Sequence, residues 1–293
     1  MTKRPFQKIG LIGRARSAES IVTLVELKKL LLSLQYDLVI EHDTAVFMQE
    51  TELKIVDRKE FSTQCDLAIV VGGDGSMLSA AKAVVHHPIP IIGINRGHLG
   101  FLTDIHPHEL AQHLIPVLDG HYISETRFLI QASVVNNQKI IYQDIALNDV
   151  VLLPGDYSHM IEFSIFINDE LVCLQKADGQ IIATPTGSTA YALSGGGPIL
   201  HPSLDALVLV PMFSHTLSSR PIVVNSNSKI KLNISNSNET SPRMSCDGEE
   251  RIAIASGDEL MIEKHPQVIT LLHPKNYRYF DTLRSKLHWQ TKL

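Results

Sequence analysis

The sequence predicts two domains: an N-terminal doubly wound parallel α/β domain, followed by a β-rich, sandwich-like domain. Three observations support this prediction. The chain has 293 residues, which exceeds the usual limit for a single hydrophobic core. In its first part, short apolar runs alternate with amphipathic stretches, a pattern typical of a parallel sheet covered by helices. From about Arg127 the apolar residues instead follow the alternating pattern of half-buried strands.

The first domain is expected over residues 1–125. Its predicted strands are short, apolar and rich in Val and Ile, and they comprise residues 8–13, 38–40, 66–71 and 89–94. Leucines at positions 24, 27, 31 and 34 recur at helical spacing and predict an amphipathic helix. A second helix is predicted from Ser76 to about Val85, where Ala, Met and Leu dominate. Because ligands bind beyond the carboxyl ends of parallel strands, residues 72–75 and 95–97 are expected to face one crevice.

The second domain is expected over residues 126–272. Residues 161–167 alternate in the manner of a half-buried strand, and Asn168-Asp169 is predicted to turn the chain into a strand at 171–173. Further strands are predicted at 206–210, 221–224, 229–234, 259–262 and 268–272. Residues 277–289 are predicted to be helical, and residues 273–293 are expected to pack back on the first domain.

Composition excludes several classes of protein. The net charge is −5 and no basic run is present, which argues against a nucleic-acid-binding surface. No stretch approaches the ~20 apolar residues of a membrane span. Three scattered cysteines without metal spacing indicate a reducing compartment, so a cytoplasmic location is expected. The fourteen histidines form no metal-binding pattern.

The segment Gly72-Gly73-Asp74-Gly75 lies between a predicted buried strand and a predicted helix. Glycines and the free N–H groups of a helix N-terminus suit a phosphate. Asp74 would repel that phosphate unless it holds a metal ion or takes a proton from an attacking hydroxyl, and phosphoryl transfer needs both roles. The alternative is an ordinary turn in which Asp74 caps the helix. Neither a P-loop nor a Gly-x-Gly-x-x-Gly fingerprint is present, so an ordinary dehydrogenase is disfavoured.

Two stretches of the second domain also indicate a ligand site. Asn148-Asp149 lies between apolar runs, so its polar groups need partners such as a sugar diol, although a bulge or turn would explain it too. Residues 183–198 contain Thr, Pro and Gly residues that interrupt a regular strand, together with Tyr191. This composition fits a loop that binds ligand through hydroxyls, amides and an aromatic face.

Three further polar residues of this domain allow two interpretations. Lys176 and Asp178 belong to a polar cluster that is either part of the site or a solvated turn. His159 follows a polar loop and either contacts ligand or is an ordinary surface histidine.

Together these motifs resemble the bacterial NAD kinase family. The residues that carry the resemblance are Gly72-Gly73-Asp74-Gly75, Asn95-Arg96-Gly97-His98-Leu99-Gly100-Phe101, Asn148-Asp149, Thr184-Pro185-Thr186-Gly187-Ser188-Thr189-Ala190-Tyr191 and Gly195-Gly196-Gly197-Pro198. They occur in the family's order and span nearly the whole chain. The resemblance implies transfer of the ATP γ-phosphate to the 2′-hydroxyl of the adenosine ribose of NAD, giving NADP. It also implies an ATP domain at 1–125, an NAD domain at 126–272 and a dinucleotide bound between them.

The resemblance further implies Asp74 as the base, Mg²⁺ or another divalent cation, and a homo-oligomer, either a dimer or a tetramer. It singles out no residue as a metal ligand. The residues that match substrate-binding positions are Gly72, Gly73, Asp74, Gly75, Asn95, Phe101, Asn148, Asp149, His159, Lys176, Asp178, Thr186, Thr189, Ala190, Tyr191, Ala192, Leu193, Ser194 and Glu249.

Two other readings remain open from the sequence. A lipid or small-molecule kinase can carry the same glycine loop, but it has no need of Asn148-Asp149 or Tyr191. A non-catalytic dinucleotide sensor would bind the same ligand, but it has no reason to place Asp74 in a phosphate loop.

Overall fold

The computed structural model describes residues 4–13, 18–96, 100–155, 159–249 and 252–289. The chain forms two compact units. The first comprises Met1–Thr126 together with Val268–Leu293, and the second comprises Arg127–Gln267. The return to the first unit therefore begins at Val268, earlier than the expected 273.

A parallel sheet forms the centre of the first unit. Its strands are β1 (Lys8–Gly13), β2 (Asp37–Glu41), β3 (Lys54–Val56), β4 (Leu67–Gly72) and β5 (Ile91–Asn95). They lie in the order β5-β4-β1-β2-β3 and every pair is parallel. All residues of β4 and β5 are buried, as expected for strands covered on both faces.

Helices follow most of these strands. They are α1 (Ala18–Ser33), α2 (His42–Met48), α3 (Asp74–Val84) and α4 (Ile115–Leu118). The predicted leucine stripe lies on α1, where Leu24, Leu27 and Leu31 are fully buried. The predicted start of the second helix at Ser76 is wrong, because α3 begins at Asp74 after an extended Gly73. A carboxylate in the first turn is favourable there because it faces the positive end of the helix dipole.

The second unit consists of antiparallel strands. Its strands, two of which continue into the first unit, are β6 (Tyr122–Asn136), β7 (Lys139–Ala146), β8 (Asp149–Leu153), β9 (Ile161–Ile167), β10 (Glu170–Ala177), β11 (Gly179–Ala183), β12 (Ala206–Met212), β13 (Ile222–Asn225), β14 (Ile230–Ile234), β15 (Arg243–Cys246), β16 (Ile252–Ala253) and β17 (Glu259–Pro274). One sheet has the order β13-β12-β11-β8-β15-β16, and the other contains β10-β9-β14-β17. Leu209 and Val150 of the first sheet share a core with Phe163 and Leu232 of the second. This two-sheet core confirms the predicted sandwich-like fold.

The turn between β9 and β10 confirms the hairpin predicted at Asn168-Asp169. Both residues have left-handed φ values, 51° and 65°, as a two-residue type I′ turn requires. By contrast, the two strands predicted at 259–262 and 268–272 are one strand, β17. Pro266 lies within this strand, and because residues 266–268 are exposed, the missing N–H of the proline costs little there.

Two helices complete the chain. The short α5 (Tyr191–Ser194) follows β11 in the second unit, and α6 (Tyr279–Leu287) confirms the helix predicted in the tail. Across the described ranges, none of the helices has the length and apolar character needed to cross a membrane.

Candidate active site

The glycine loop, residues 72–75, joins the buried end of β4 to the first turn of α3. A Cβ atom at Gly72 would lie 2.1 Å from Ser76 Oγ, so the close approach of loop and helix requires glycine at this position. A Cβ atom at Gly73 would meet no atom within 4 Å. The backbone at Gly73 is therefore open to a ligand beside the N–H groups of the helix N-terminus.

The carboxylate of Asp74 is fixed by the segment that follows β5. Its Oδ2 accepts a hydrogen bond from the Phe101 N–H at 3.0 Å, and its Oδ1 accepts one from the Leu102 N–H at 3.0 Å. A Cβ atom at Gly100 would lie 2.2 Å from Asp74 Oδ1 and 2.4 Å from Thr103 Oγ1. Gly100 is thus the residue that leaves room for this carboxylate. Each oxygen still has a lone pair for a further donor.

Buried polar atoms without partners lie close to the glycine loop. Asn95 ends β5 and is the sheet neighbour of Gly72. Its side-chain oxygen and nitrogen, like Thr103 Oγ1, are buried and have no hydrogen-bond partner among the described residues. Since an unpaired buried polar group costs about 1–3 kcal/mol, these atoms are suited to receive a water molecule or a ligand group.

The rest of the stretch that begins at Asn95 is described in part. Gly97, His98 and Leu99 lie outside the described residues. Arg96 forms an ion pair with Glu19, with 2.9 Å between Nη2 and Oε2. The half-buried ring of Phe101 has Lys286 Nζ 5.9 Å from its centroid.

A cavity of about 250 Å³ lies in the second unit and contains the predicted Asn148-Asp149 pair. The pair stands at the start of the central strand β8, and Tyr191 and Ala190 line the same cavity. The side chain of Tyr191 is 42% exposed and Asp149 is 4% exposed. The structure therefore brings together Asp149 and Tyr191, which are 42 positions apart in sequence. They give the cavity one buried carboxylate and one aromatic face.

The segment Thr184-Pro185-Thr186-Gly187 packs directly against the backbone of Leu147 and Asn148. Thr184 Oγ1 donates to Leu147 O at 2.5 Å, and the Thr184 N–H donates to Asn148 O at 2.9 Å. A Cβ atom at Gly187 would lie 2.1 Å from Asn148 O, so the approach of the two backbones requires glycine. This contact explains why a Thr-Pro-Thr-Gly sequence interrupts the strand pattern at this point.

Asp247 completes the cavity and was not predicted as a site residue. Its carboxylate accepts hydrogen bonds from three consecutive N–H groups, those of Leu147 at 2.9 Å, Asn148 at 2.7 Å and Asp149 at 3.2 Å. Burial raises the pKa of the Asp149 carboxyl to about 7, and the negative charge of Asp247 adds to this rise. The Asp149 carboxyl group therefore changes charge near neutral pH.

His159 and Lys176 lie together, but in a second cavity of about 140 Å³. His159 Nε2 is 3.5 Å from Glu239 Oε2, and Lys176 Nζ is 2.7 Å from Glu162 Oε1. Neither residue lines the cavity of Asn148 and Asp149. The hydrogen bonds and charge of Lys176 lower the pKa of Glu162, with Ser237 also contributing a hydrogen bond.

The remaining predicted residues of the second unit do not line the Asn148 cavity. They are Asp178, Thr186, Thr189, Ala192, Leu193, Ser194 and Glu249. Thr186 Oγ1 instead accepts a hydrogen bond from the buried Arg127 at 3.1 Å. Arg127, like Thr103 and Asp247, lies beside predicted residues without having been predicted itself. No motif or residue spacing in the sequence distinguishes these three residues.

A protein-only metal cage is absent from the described ranges, where no group of three or more His, Cys, Asp or Glu side chains converges. Asp74 is a single carboxylate at the glycine loop. Mg²⁺ is commonly held by one or two carboxylates and by substrate phosphates, so this donor set fits a cation carried with a nucleotide.

Comparison with known proteins identifies the family. Residues 9–122 match the ATP-NAD kinase N-terminal domain, and residues 147–273 match the ATP-NAD kinase C-terminal domain. The chain is 51% identical to an NAD kinase of Pseudomonas putida over 98% of this chain and 97% of the relative. It is 52% identical to an NAD kinase of Coxiella burnetii over 100% of this chain and 97% of the relative.

Solved structures share the fold. A yeast NADH kinase complexed with NADH superposes with a TM-score of 0.89 at 23% identity, covering 99% of this chain and 89% of that one. An NAD kinase from Archaeoglobus fulgidus in complex with ATP gives a TM-score of 0.73 at 22% identity, covering 95% and 99%. These matches confirm the fold class and the resemblance found in the sequence. The chain belongs to the NAD kinase family.

Proposed function

We propose that this chain catalyses the reaction of its family, the phosphorylation of NAD to NADP, with ATP as the phosphate donor and the 2′-hydroxyl of the adenosine ribose as the acceptor. The observation that carries the proposal is the Asp74 carboxylate, held by two backbone N–H groups beside an open glycine loop. A carboxylate in a phosphate site repels the phosphate. Phosphoryl transfer can use such a carboxylate, whereas a site that only binds nucleotide gains nothing from it.

The donor phosphates belong to the glycine loop in the first unit. The open backbone at Gly73 and the first N–H groups of α3 offer hydrogen bonds to phosphate oxygens. The orphaned amide of Asn95 and the hydroxyl of Thr103 add polar groups beside the same loop. Such preorganised donors stabilise the charge that develops on the transferred phosphoryl group.

The acceptor nucleoside belongs to the cavity of the second unit. Asn148 and Asp149 present an amide and a carboxyl group to the ribose hydroxyls, and the exposed ring of Tyr191 offers a face for stacking. Asp178, Thr186, Thr189 to Ser194 and Glu249 belong to the same proposal as further substrate contacts. His159 and Lys176, which share the smaller cavity, are included as contacts with a more distant part of the dinucleotide.

Asp74 is proposed to act as the general base. A ribose hydroxyl is a weak nucleophile near pH 7, so a carboxylate that accepts its proton lowers the barrier. The two backbone N–H groups hold this carboxylate in one orientation, and each oxygen retains a lone pair for the hydroxyl. Proton transfer by a positioned side chain contributes about 10²- to 10⁴-fold to a reaction rate.

Mg²⁺ or a similar cation is part of the proposal. When bound, it supplies neutralisation of charge on the ATP phosphates. Asp74 is the residue of the glycine loop that would hold it together with the donor phosphates.

Self-association into a dimer or tetramer is also proposed. Among the described residues, Leu217, Phe213 and Leu174 are the most exposed large apolar side chains, at 93%, 79% and 74%. All three belong to the second unit, and exposed apolar surface commonly marks an interaction site. The cytoplasmic location stays a prediction.

Replacement of Asp74 tests the catalytic assignment. Asp74→Asn keeps the size of the side chain and a carbonyl oxygen for one backbone N–H, so the protein is expected to fold. Loss of the base should lower kcat by about 100- to 10,000-fold, while the dissociation constant for NAD stays within about threefold. Steady-state kinetics and calorimetry measure the two quantities. A variant with the wild-type kcat would remove Asp74 from the mechanism.

A further inference from the structure

Asp247 is 98 to 100 residues away in sequence from the groups that it binds. It lies in the turn after β15, and β15 pairs with β8 so that Cys246 faces Val150. This pairing brings the Asp247 carboxylate under the backbone of residues 147–149. The Asp247 N–H in turn donates to Asp149 O at 2.9 Å. Asp247 therefore both accepts hydrogen bonds from residues 147–149 and donates one to them.

The backbone of this turn is adapted to that position. Asp247 and Gly248 both adopt left-handed conformations, with φ values of 54° and 69°. Aspartate and asparagine tolerate this region better than other side chains, because their short polar groups bond locally. The turn presents the carboxylate to three N–H groups at once, which is the arrangement of an anion nest formed by consecutive backbone amides.

We propose that Asp247 is the positioning residue of the acceptor site, and that its carboxylate holds Asn148 and Asp149 in the conformation that binds the ribose of NAD. The proposal rests on the function proposed above. Asp247 acts through its neighbours: it fixes the backbone from which both side chains enter the cavity. Charge-assisted hydrogen bonds of this kind are about twice as strong as neutral ones.

The charge of Asp247 adds a second effect, which a merely structural residue would lack. Among the residues that the structure describes, the titratable groups that line the cavity are Asp149, Asp247 and Tyr191, and the other described lining residues carry no charge. A ribose hydroxyl donates to the ionised Asp149 carboxylate, so NAD binding is expected to weaken as pH falls below about 7, where burial and Asp247 place the pKa of Asp149. Removal of the Asp247 charge lowers the pKa of Asp149. The loss of NAD binding on the acid side of the pH profile should therefore occur at a lower pH.

The test uses Asp247→Asn in the full-length protein. Asparagine fits the left-handed backbone, but its NH₂ group replaces one of the two oxygens that accept backbone N–H groups. At pH 8 we expect KM and Kd for NAD to rise about tenfold, which corresponds to about 1.4 kcal/mol. The kcat and the KM for ATP should stay within about threefold. Between pH 5.5 and 8, the acid limb of kcat/KM for NAD should lie at lower pH than in the wild type.

Asp258→Asn is the matched control. Asp258 is also a buried aspartate of the second unit that accepts a backbone N–H, from Ala255 at 3.0 Å, but it does not line the cavity. This variant should lower thermal stability without moving the KM for NAD or its pH profile. If Asp247→Asn behaved in the same way, the positioning role would be refuted.

The positioning role of Asp247 can be tested separately from the proposed NAD kinase activity and from an effect on folding. If the wild type forms no NADP, the function fails; if it does and Asp247→Asn has normal NAD kinetics and a normal pH profile, only the positioning role fails. Should Asp247→Asn not fold, Asp247→Gly provides the second variant, because glycine adopts the left-handed conformation without strain. Failure of both to fold would assign Asp247 to folding and refute the proposal.

Discussion

A buried histidine in the first unit gives a pH-dependent prediction. His273, near the end of β17, is 1% exposed and lies between two carboxylates. Its Nδ1 bonds Asp104 Oδ2, and its Nε2 is 3.2 Å from Glu125 Oε2. The ring also stacks on Tyr277, with 4.0 Å between centroids. The perturbation is His273→Gln, which removes the cation and keeps a polar side chain of similar length.

The magnitude follows from the ionisation of the imidazole. Burial alone lowers the pKa of His273, but the hydrogen bonds and charges of Asp104 and Glu125 outweigh it and raise the pKa from 6.5 to about 9. A pKa rise of this size adds roughly 3 kcal/mol to the free energy of unfolding. Because the folded pKa is the higher one, this stability is fully present below pH 6.5. It is lost as pH rises through 9.

The assay is thermal and urea unfolding of both proteins at pH 6, 7.5 and 9.5. At pH 6 the variant should be less stable by roughly 3 kcal/mol, or about 6–12 °C in Tm. The difference should shrink steadily as the pH approaches 9.5. His42→Gln is the control, since His42 is exposed and also contacts a carboxylate, with 3.1 Å between Nδ1 and Asp43 Oδ1. A difference between variant and wild type that stayed constant across this pH range would refute the reasoning.

Two substitutions in the sites give the remaining predictions. Gly100→Ala places a methyl group 2.2 Å from Asp74 Oδ1, so kcat should fall by about 100-fold or more; rates within threefold of the wild type would contradict the assigned geometry, and circular dichroism checks the fold. Asp149→Ala removes the buried carboxyl group from the cavity and should raise KM for NAD about tenfold or more, because a charged hydrogen bond contributes about 1.5–3 kcal/mol. KM for ATP should change little, and the opposite pattern in steady-state kinetics would reverse the placement of the two substrates.

Much of the fold was predictable because burial leaves a strong periodic signal. The uniformly buried strands β4 and β5 appear as continuous apolar runs, and the leucines of α1 keep helical spacing. The signal fails where burial is mixed. β6 begins at Tyr122 with exposed residues on both faces, and the seven residues of α2 are too few to establish a period. The long β17 was predicted as two strands, because residues 263–267 between them are polar or proline and interrupt the apolar pattern.

The site was predictable only where function requires unusual local sequence. Gly73 and Thr184 interrupt the strand and helix patterns, so they can be recognised from the sequence. Asp247 does not, because its role arises from the pairing of β15 with β8. The separation of His159 and Lys176 from Asn148 is likewise a property of strand order and cannot be found from spacing.

The most direct test of the central claim is product formation by the purified protein with ATP, Mg²⁺ and NAD. We expect NADP to appear, detected enzymatically and by mass spectrometry. An NAD analogue that lacks the 2′-hydroxyl of the adenosine ribose should give no phosphorylated product, because the acceptor oxygen is missing. Phosphorylation of this analogue at a rate comparable to that of NAD, or no NADP from NAD itself, would contradict the assigned reaction.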